Sequence, residues 1–379
     1  MDSADLEARR AILGQTVSEA FERDLGAVVS RRFFRREADV VVCEMCPRAC
    51  RLREGQRGVC FVRECRNGEV VLTSYGRSTG FCIDPIEKKP LFHFLPGTPV
   101  LSFGTAGCNL TCKFCQNWQT SRARDVERMS DIASPDAIAE AAVRGGCRSV
   151  AMTYNDPVVF FEYAVDTAEA CHRVGVRTVA VTAGYMMPAS REVFYSHFDA
   201  ANVDLKAFSE RFYRELCGGS LAPVLDTLVY LRSKTKVWLE LTTLLIPGEN
   251  DSDGELDQMT RWLRENLGAD VPLHFSAFHP DFRLQGRQPT PLATLQRART
   301  IALGNGLVHV YLGNVRDDDG SATHCAGCGA RLIARVGYDI TSFTLGDRGT
   351  CDTCGRPCVG VFEAKPGTWG SRRLPIRIR

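Results

Sequence analysis

The chain has 379 residues, with 47 Lys and Arg against 45 Asp and Glu, and 44% of it is hydrophobic. The net charge of +2 makes no electrostatic case for a nucleic-acid or membrane partner, and neither is expected. No apolar run approaches the ~20 residues that span a bilayer. The N-terminus lacks the charged-then-apolar layout of a signal peptide. A cytoplasmic location is therefore expected. In that reducing compartment 17 cysteines grouped by short spacings point to metal sites rather than disulfides.

Residues 1–38 carry Leu6, Ala11, Leu13, Val17, Ala20, Phe21, Leu25 and Val28 between charges, an amphipathic pattern that predicts a helix packed on the body. Next come Cys43-x2-Cys46-Pro-Arg-x-Cys50 and Cys60. Four thiols among turn-permitting glycines make a four-ligand site. Cysteine alone does not separate zinc from iron–sulfur; a zinc clip is the first reading and an auxiliary cluster the second. Cys65 and Cys82 are read as buried thiols without a partner. The stretch Asp84-Pro-Ile-Glu-Lys-Lys-Pro-Leu-Phe-His-Phe94 reads as a loop framed by prolines. Lys88, Lys89 and His93 within it read either as groups facing a carboxylate or phosphate or as a solvated face, and spacing alone favours the solvated face.

From 98 to 316 strand and helix patterns alternate. Strands are expected at 100–105, 148–154, 177–183, 201–206, 236–246, 272–279 and 307–312, with helices between them, two of them capped by Ser134 and Asp253. This alternation predicts an α/β fold, a partial or full (β/α) barrel with a parallel sheet. Sites in such sheets lie at the C-terminal strand ends. The first strand leads into Cys108-x3-Cys112-x2-Cys115. Three thiolates from one loop can hold three irons of a [4Fe–4S] cluster and leave the fourth open for chemistry; a zinc loop or plain buried thiols are the alternatives. Tyr154-Asn155-Asp156-Pro157 ends the next strand and offers acceptors for an ammonium group, or simply a helix cap. Asp204-Leu-Lys206 puts opposite charges on one strand face, as a functional pair or a plain ion pair. His274 shares a face with Ser276 and Phe278, so it looks inward, while His279 lies at the rim.

Beyond a turn-like linker near 317–321, Cys325-x2-Cys328-Gly and Cys351-x2-Cys354-Gly form two knuckles, a zinc-ribbon signal with rubredoxin-like iron as the alternative. Cys358 is left over. The domain reading is 1–97 for the N-terminal helix and cysteine-rich region, 98–316 for the barrel, 322–364 for the ribbon-like module and 365–379 for a flexible basic tail.

Cys108…Cys112-Lys-Phe114-Cys115 resembles the radical S-adenosylmethionine (SAM) superfamily signature. Together with the Cys43–Cys50 motif, the Asp84–Phe94 run, Tyr154-Asn-Asp-Pro, Asp204-Leu-Lys and the double knuckle, it resembles the radical SAM enzyme of the AmmeMemoRadiSam system. That family is similar to pyruvate formate-lyase and other glycyl-radical-enzyme activating enzymes. The resemblance implies that Cys108, Cys112 and Cys115 hold the cluster and that SAM chelates its open iron. Phe114 would then border the adenine, with Tyr154, Asn155, Asp156, Asp204 and Lys206 around SAM. It further implies reductive cleavage to a 5′-deoxyadenosyl radical that takes hydrogen from a protein substrate. The implied partners are a ferredoxin- or flavodoxin-type reductant and Memo-like and AMMECR1-like proteins. Modification of a small molecule or tRNA, or a non-catalytic iron–sulfur and zinc docking protein, are the competing readings.

Overall fold

The computed structural model describes residues 28–30, 33–124, 131–346 and 349–378. Most of the expected N-terminal helix, residues 1–27, lies outside the described residues. The described end of that stretch is extended instead, in strands Val28–Val29 and Phe34–Glu37. The second pairs antiparallel with Val40–Cys43, whose β-branched run favours a pleated surface over a helix.

One nine-stranded sheet forms the body. In chain order its strands are β1 (Phe81–Pro85), β2 (Pro99–Phe103), β3 (Ser149–Met152), β4 (Arg177–Thr182), β5 (Ala200–Asp204), β6 (Trp238–Leu245), β7 (Leu273–Ala277), β8 (Val310–Gly313) and β9 (Leu374–Ile376). Across the sheet they run β8-β7-β6-β5-β4-β3-β2-β1-β9. β2 to β8 are parallel neighbours in sequence order. The connections carry helices α1 (Pro135–Arg144), α2 (Phe161–Arg173), α3 (Pro188–Tyr195), α4 (Ala222–Lys234), α5 (Asp253–Leu267) and α6 (Leu292–Gly304). The sheet ends at β8 on one side and β9 on the other, so this is a partial (β/α) barrel and not a closed one. Ser134 caps α1 as expected, accepting from Ala137 N at 3.1 Å. The cap of α5 is Ser252, one residue before the expected Asp253; its hydroxyl reaches the Glu255 amide.

Two strands come from outside the expected barrel segment. β1 lies before it, and β9 is built from the tail, pairing antiparallel with β1. The expected flexible tail is thus strand where it carries Leu374-Pro-Ile376, and Ile378 is buried. An exposed sheet edge is a template for any extended apolar segment that reaches it.

Helices cover the outer face of the sheet in the large core, while a small apolar cluster around Leu91, Phe94, Val100, Ala151 and Val179 fills the inner face. Residues 86–97 fold inward and plug the N-terminal end of the barrel. The amides of Phe92 and His93 donate to the Glu240 carboxylate at 3.0 and 2.8 Å, and Asn202 donates to Pro90 O at 2.7 Å. The favoured solvated face is therefore overturned, and the other reading, a carboxylate facing the two lysines, holds. Lys89 is 3% exposed and bonds Asp84 at 2.8 Å, while Lys88 bonds the same carboxylate from a part-exposed position. A loop turned into a core must pair its charges internally. His274 does look inward, and its Nε2 lies 2.7 Å from Glu240.

His93 sits in the plug between Val359 O and the Tyr311 hydroxyl. Burial holds its imidazole down to about 4. Between pH 6.5 and 4 the unfolded chain binds a proton here that the folded chain refuses, so stability falls as pH falls, by about 1.4 kcal/mol per pH unit. Glu87, pushed up to about 7 by burial, contributes with the opposite sign. A His93→Gln variant keeps the Glu87 contribution and should lose the histidine's share of the slope in denaturant titrations from pH 7 to 4.5. An unchanged slope would contradict a buried neutral His93.

The C-terminal module has its own antiparallel strands, Thr323–His324, Arg331–Val336 and Asp339–Phe343, and its own small core. It docks on the plug. Val361 N donates to His93 O at 2.7 Å, and the buried Arg335 donates to Phe92 O at 2.8 Å with its guanidinium over the Phe92 ring. This places the module at the N-terminal end of the barrel, away from the strand ends that carry Cys108.

Candidate metal centre at the strand ends

The cysteine loop leaves β2 at its C-terminal end and is clamped from both sides. Gly104 allows a close approach: a Cβ there would lie 2.3 Å from Thr153 O and 2.6 Å from Asn155 Oδ1. Gly107, at φ +87°, faces Cys60, whose carbonyl would sit 2.0 Å from an added Cβ. Asn155 spans these two glycines, accepting from Thr105 N at 3.0 Å and donating to Gly107 O at 2.7 Å. On the other side Thr111 N donates to Cys217 O at 2.7 Å and Lys113 N to Leu216 O at 2.9 Å. These acceptors belong to a π-helical turn, Tyr213–Cys217, a rare conformation that recurs at functional sites. Arg122 and Arg48 hold Leu110 O and Asn109 O, each at 2.8 Å. The loop is fixed by protein groups alone.

Cys112 is buried, and Cys108 and Cys115 are half-buried. The Cys217 thiol hydrogen-bonds Cys112 and, with the Lys206 ammonium, draws it down to about 7. Burial, reinforced by the Asp156 carboxylate, pushes Cys108 up to about 12. A thiol raised like Cys108 becomes a thiolate only against a cation, which a metal provides.

The expected SAM-side residues fall into distinct places. Lys206 bonds Asp204 at 2.9 Å, and the charges of both reach Cys112. The ion pair and the proximity to the thiols therefore coexist. Asp156 lies in the field of Cys108, but its oxygens already accept from Val158 N, Thr182 Oγ1 and Ala183 N at 2.9–3.1 Å; the helix-cap reading holds for it. Asn155 is occupied in shaping the loop. Tyr154, at φ +71°, turns into the barrel, and its hydroxyl donates to Asp84 at 3.1 Å. Phe114 is buried against Phe212. His279 is on the rim, 3.3 Å from Gln116. Cys217 was not singled out from the sequence, because no spacing links a lone cysteine to a loop some hundred residues earlier.

Elsewhere Cys325, Cys328, Cys351 and Cys354 bring their sulfurs within 4.8 Å of one another, an arrangement that fits a zinc-ribbon-like module. Cys43, Cys46, Cys50 and Cys60 line one cavity next to Asn109, on the side of the Cys108 loop. No helix among the described residues is long and apolar enough to cross a membrane.

Residues 103–259 match the radical SAM superfamily profile. An uncharacterized protein of Methanocaldococcus jannaschii is 40% identical over 316 residues, spanning 83% of this chain and 94% of that protein. The profile match takes in the C-terminal end of β2, the three-cysteine loop and the strand ends around it. The chain belongs to the radical SAM superfamily. The benzylsuccinate synthase activating enzyme of Thauera aromatica is 25% identical over 213 residues, 54% of this chain and 62% of that protein. A radical SAM methyltransferase structure from Sphaerobacter thermophilus aligns at 17% identity and a TM-score of 0.47, over 58% of this chain and 67% of that one.

Membership of the radical SAM superfamily implies a [4Fe–4S] cluster and SAM, and the cysteine loop fits them. Four sulfurs at about 2.3 Å from one zinc stand only about 3.8 Å apart. The sulfurs of Cys108, Cys112 and Cys115 are not mutually within even 4.8 Å, which suits three ligands that each bind a separate iron.

Proposed function

We propose that Cys108, Cys112 and Cys115 hold a [4Fe–4S] cluster to which SAM binds, and that the chain uses it to take a hydrogen atom from a protein substrate. The observation that carries this reading is the clamped three-thiol loop at the strand ends, with Lys206 beside Cys112. When bound, cluster and SAM supply a one-electron route to a hydrogen-abstracting radical. The chain's own residues do the rest. Asn155 and the two glycines keep Cys108 in place. Asp204 and Lys206 put a charge pair at the rim of the thiol pocket, suited to the carboxylate and ammonium of an amino acid.

The likeness to an activating enzyme supports a protein substrate. So does the rim, where the part-exposed Trp118 stacks on Phe282 at 5.5 Å, three residues after Cys115. Flat aromatic surface of this kind anchors protein partners. In this reading Memo-like and AMMECR1-like proteins are the first substrates to try, with a ferredoxin- or flavodoxin-type reductant. The C-terminal module, at the far end of the barrel, is left with a structural role and zinc as its metal.

The experiment is anaerobic incubation of reconstituted, dithionite-reduced protein with SAM and each candidate partner, prepared in deuterated form. The expected result is 5′-deoxyadenosine that carries deuterium from one partner. Deuterium-free product with every partner would sink the protein-substrate part. An intact cluster that yields no 5′-deoxyadenosine would sink the whole reading.

A further inference from the structure

The N-terminal strands bring Cys43, Cys46, Cys50 and Cys60 around one cavity. Backbone N–H groups turn toward the sulfurs: Met45 toward Cys43, Arg48 toward Cys46, and Val62 and Arg63 toward Cys60. Such donors surround metal-bound thiolates and tune them.

The spread of the sulfurs separates the two metals that cysteine allows. In the C-terminal module, sulfur pairs stand 3.5 and 3.7 Å apart, close to the about 3.8 Å set by four ligands on one zinc. Among the described residues, no three sulfurs of Cys43, Cys46, Cys50 and Cys60 are mutually within 4.8 Å, although all four face the same cavity. Four thiols spread more widely than those of the C-terminal module, lining one shared space, match a cubane in which each sulfur binds its own iron.

Arg48 provides a second, independent observation. It lines the cavity, its Nε donates to Asn109 O, and its Nη2, beside Gly218, is buried without a hydrogen-bond partner. A buried, unpaired guanidinium N–H needs an acceptor, preferably a negative one. The sulfides and thiolates of a cluster are such acceptors.

We propose that Cys43, Cys46, Cys50 and Cys60 ligate a second [4Fe–4S] cluster, closed at all four irons and packed against the loop of the first. The two ligand sets touch through backbone: Cys60 O lies against Gly107, the residue before Cys108, and Arg48 bonds Asn109, the residue after it. With every iron ligated by protein, this cluster has no position for SAM. It accepts one electron from a one-electron carrier and returns one, with no bond made or broken. This assignment stands independently of the reaction proposed at Cys108–Cys115.

The test is anaerobic reconstitution with iron and sulfide, followed by metal analysis and EPR of the reduced protein. The full chain should carry about eight irons, two cubanes, with one zinc equivalent at most. A triple variant, Cys108→Ala, Cys112→Ala and Cys115→Ala, should keep about four irons and an EPR signal that SAM leaves unchanged. A Cys46→Ala, Cys50→Ala double variant should keep about four irons with a signal that SAM perturbs. A triple variant devoid of iron, or a full chain with about four irons and two zincs, would overturn the proposal. The triple variant leaves the N-terminal thiols intact, so it decides the matter even if the double variant fails to fold.

Discussion

Cys112→Ala is expected to reduce 5′-deoxyadenosine formation from SAM to the level of a protein-free control. The loss should exceed the ~10–100-fold typical of residues that only support a ligand. Cys112 is the buried member of the three thiols, hydrogen-bonded by the Cys217 thiol and in the field of the Lys206 ammonium, so the substitution removes an iron ligand from a site shielded from solvent. Cys217 is a second thiol at hand, which makes the Cys112→Ala, Cys217→Ala double variant the stricter test. Product from that double variant, measured by chromatography after anaerobic reduction, would remove Cys112 from the cluster. The loop's hydrogen bonds at Thr111 and Lys113 run through backbone and survive the substitution, so a loss of activity with an unchanged unfolding midpoint reports on ligation rather than on folding.

The second large effect concerns stability. Glu240 has no exposed side-chain surface and gathers four donors: Phe92 N at 3.0 Å, His93 N at 2.8 Å, Trp238 Nε1 at 2.9 Å and His274 Nε2 at 2.7 Å. Its partners hold the carboxyl down to about 2 despite its burial. Glu240→Ala leaves those donors buried and unpaired, and is expected to cost about 3–5 kcal/mol, a large part of typical domain stability. Glu240→Gln retains an acceptor but turns an N–H₂ toward one of the donors, so about 1–3 kcal/mol is expected. Denaturant unfolding of the three proteins at neutral pH checks both values. An alanine variant within about 1 kcal/mol of the parent would mean that the plug at 86–97 is not anchored through this residue.

What was legible in the sequence had local causes. The β/α alternation over 98–316 is a periodicity of apolar residues, and seven of the nine sheet strands fall where it places them. The C-x3-C-x2-C spacing brings three sulfurs into one loop whatever surrounds it, and the double knuckle does the same for the C-terminal four. Asn155 and Asp156 were readable as polar groups at a strand end. Their actual bonds, to Gly107 O and Ala183 N, were not, because those partners are fixed only when neighbouring strands settle their register.

The misreadings share one physical origin. Lys88 and Lys89 look like a solvated face because adjacent charges usually are, yet Asp84 turns them inward. The basic tail looks free because Arg372, Arg373, Arg377 and Arg379 dominate it, yet Leu374 and Ile376 find an open sheet edge. His274 reads as inward-looking, yet Glu240, its partner, becomes an anchor only across more than a hundred residues from Phe92 and His93. Cys217 joins the cysteine loop through a π-helical turn that no pattern announces.

The sequence by itself determined the class of chemistry and the order of the strands, because thiol spacing and apolar periodicity act over a few residues. Tertiary structure decided which charges are buried, which end of the barrel each cysteine module occupies, and how widely each set of sulfurs is spread. Those outcomes depend on strand register and on segments meeting from opposite ends of the chain.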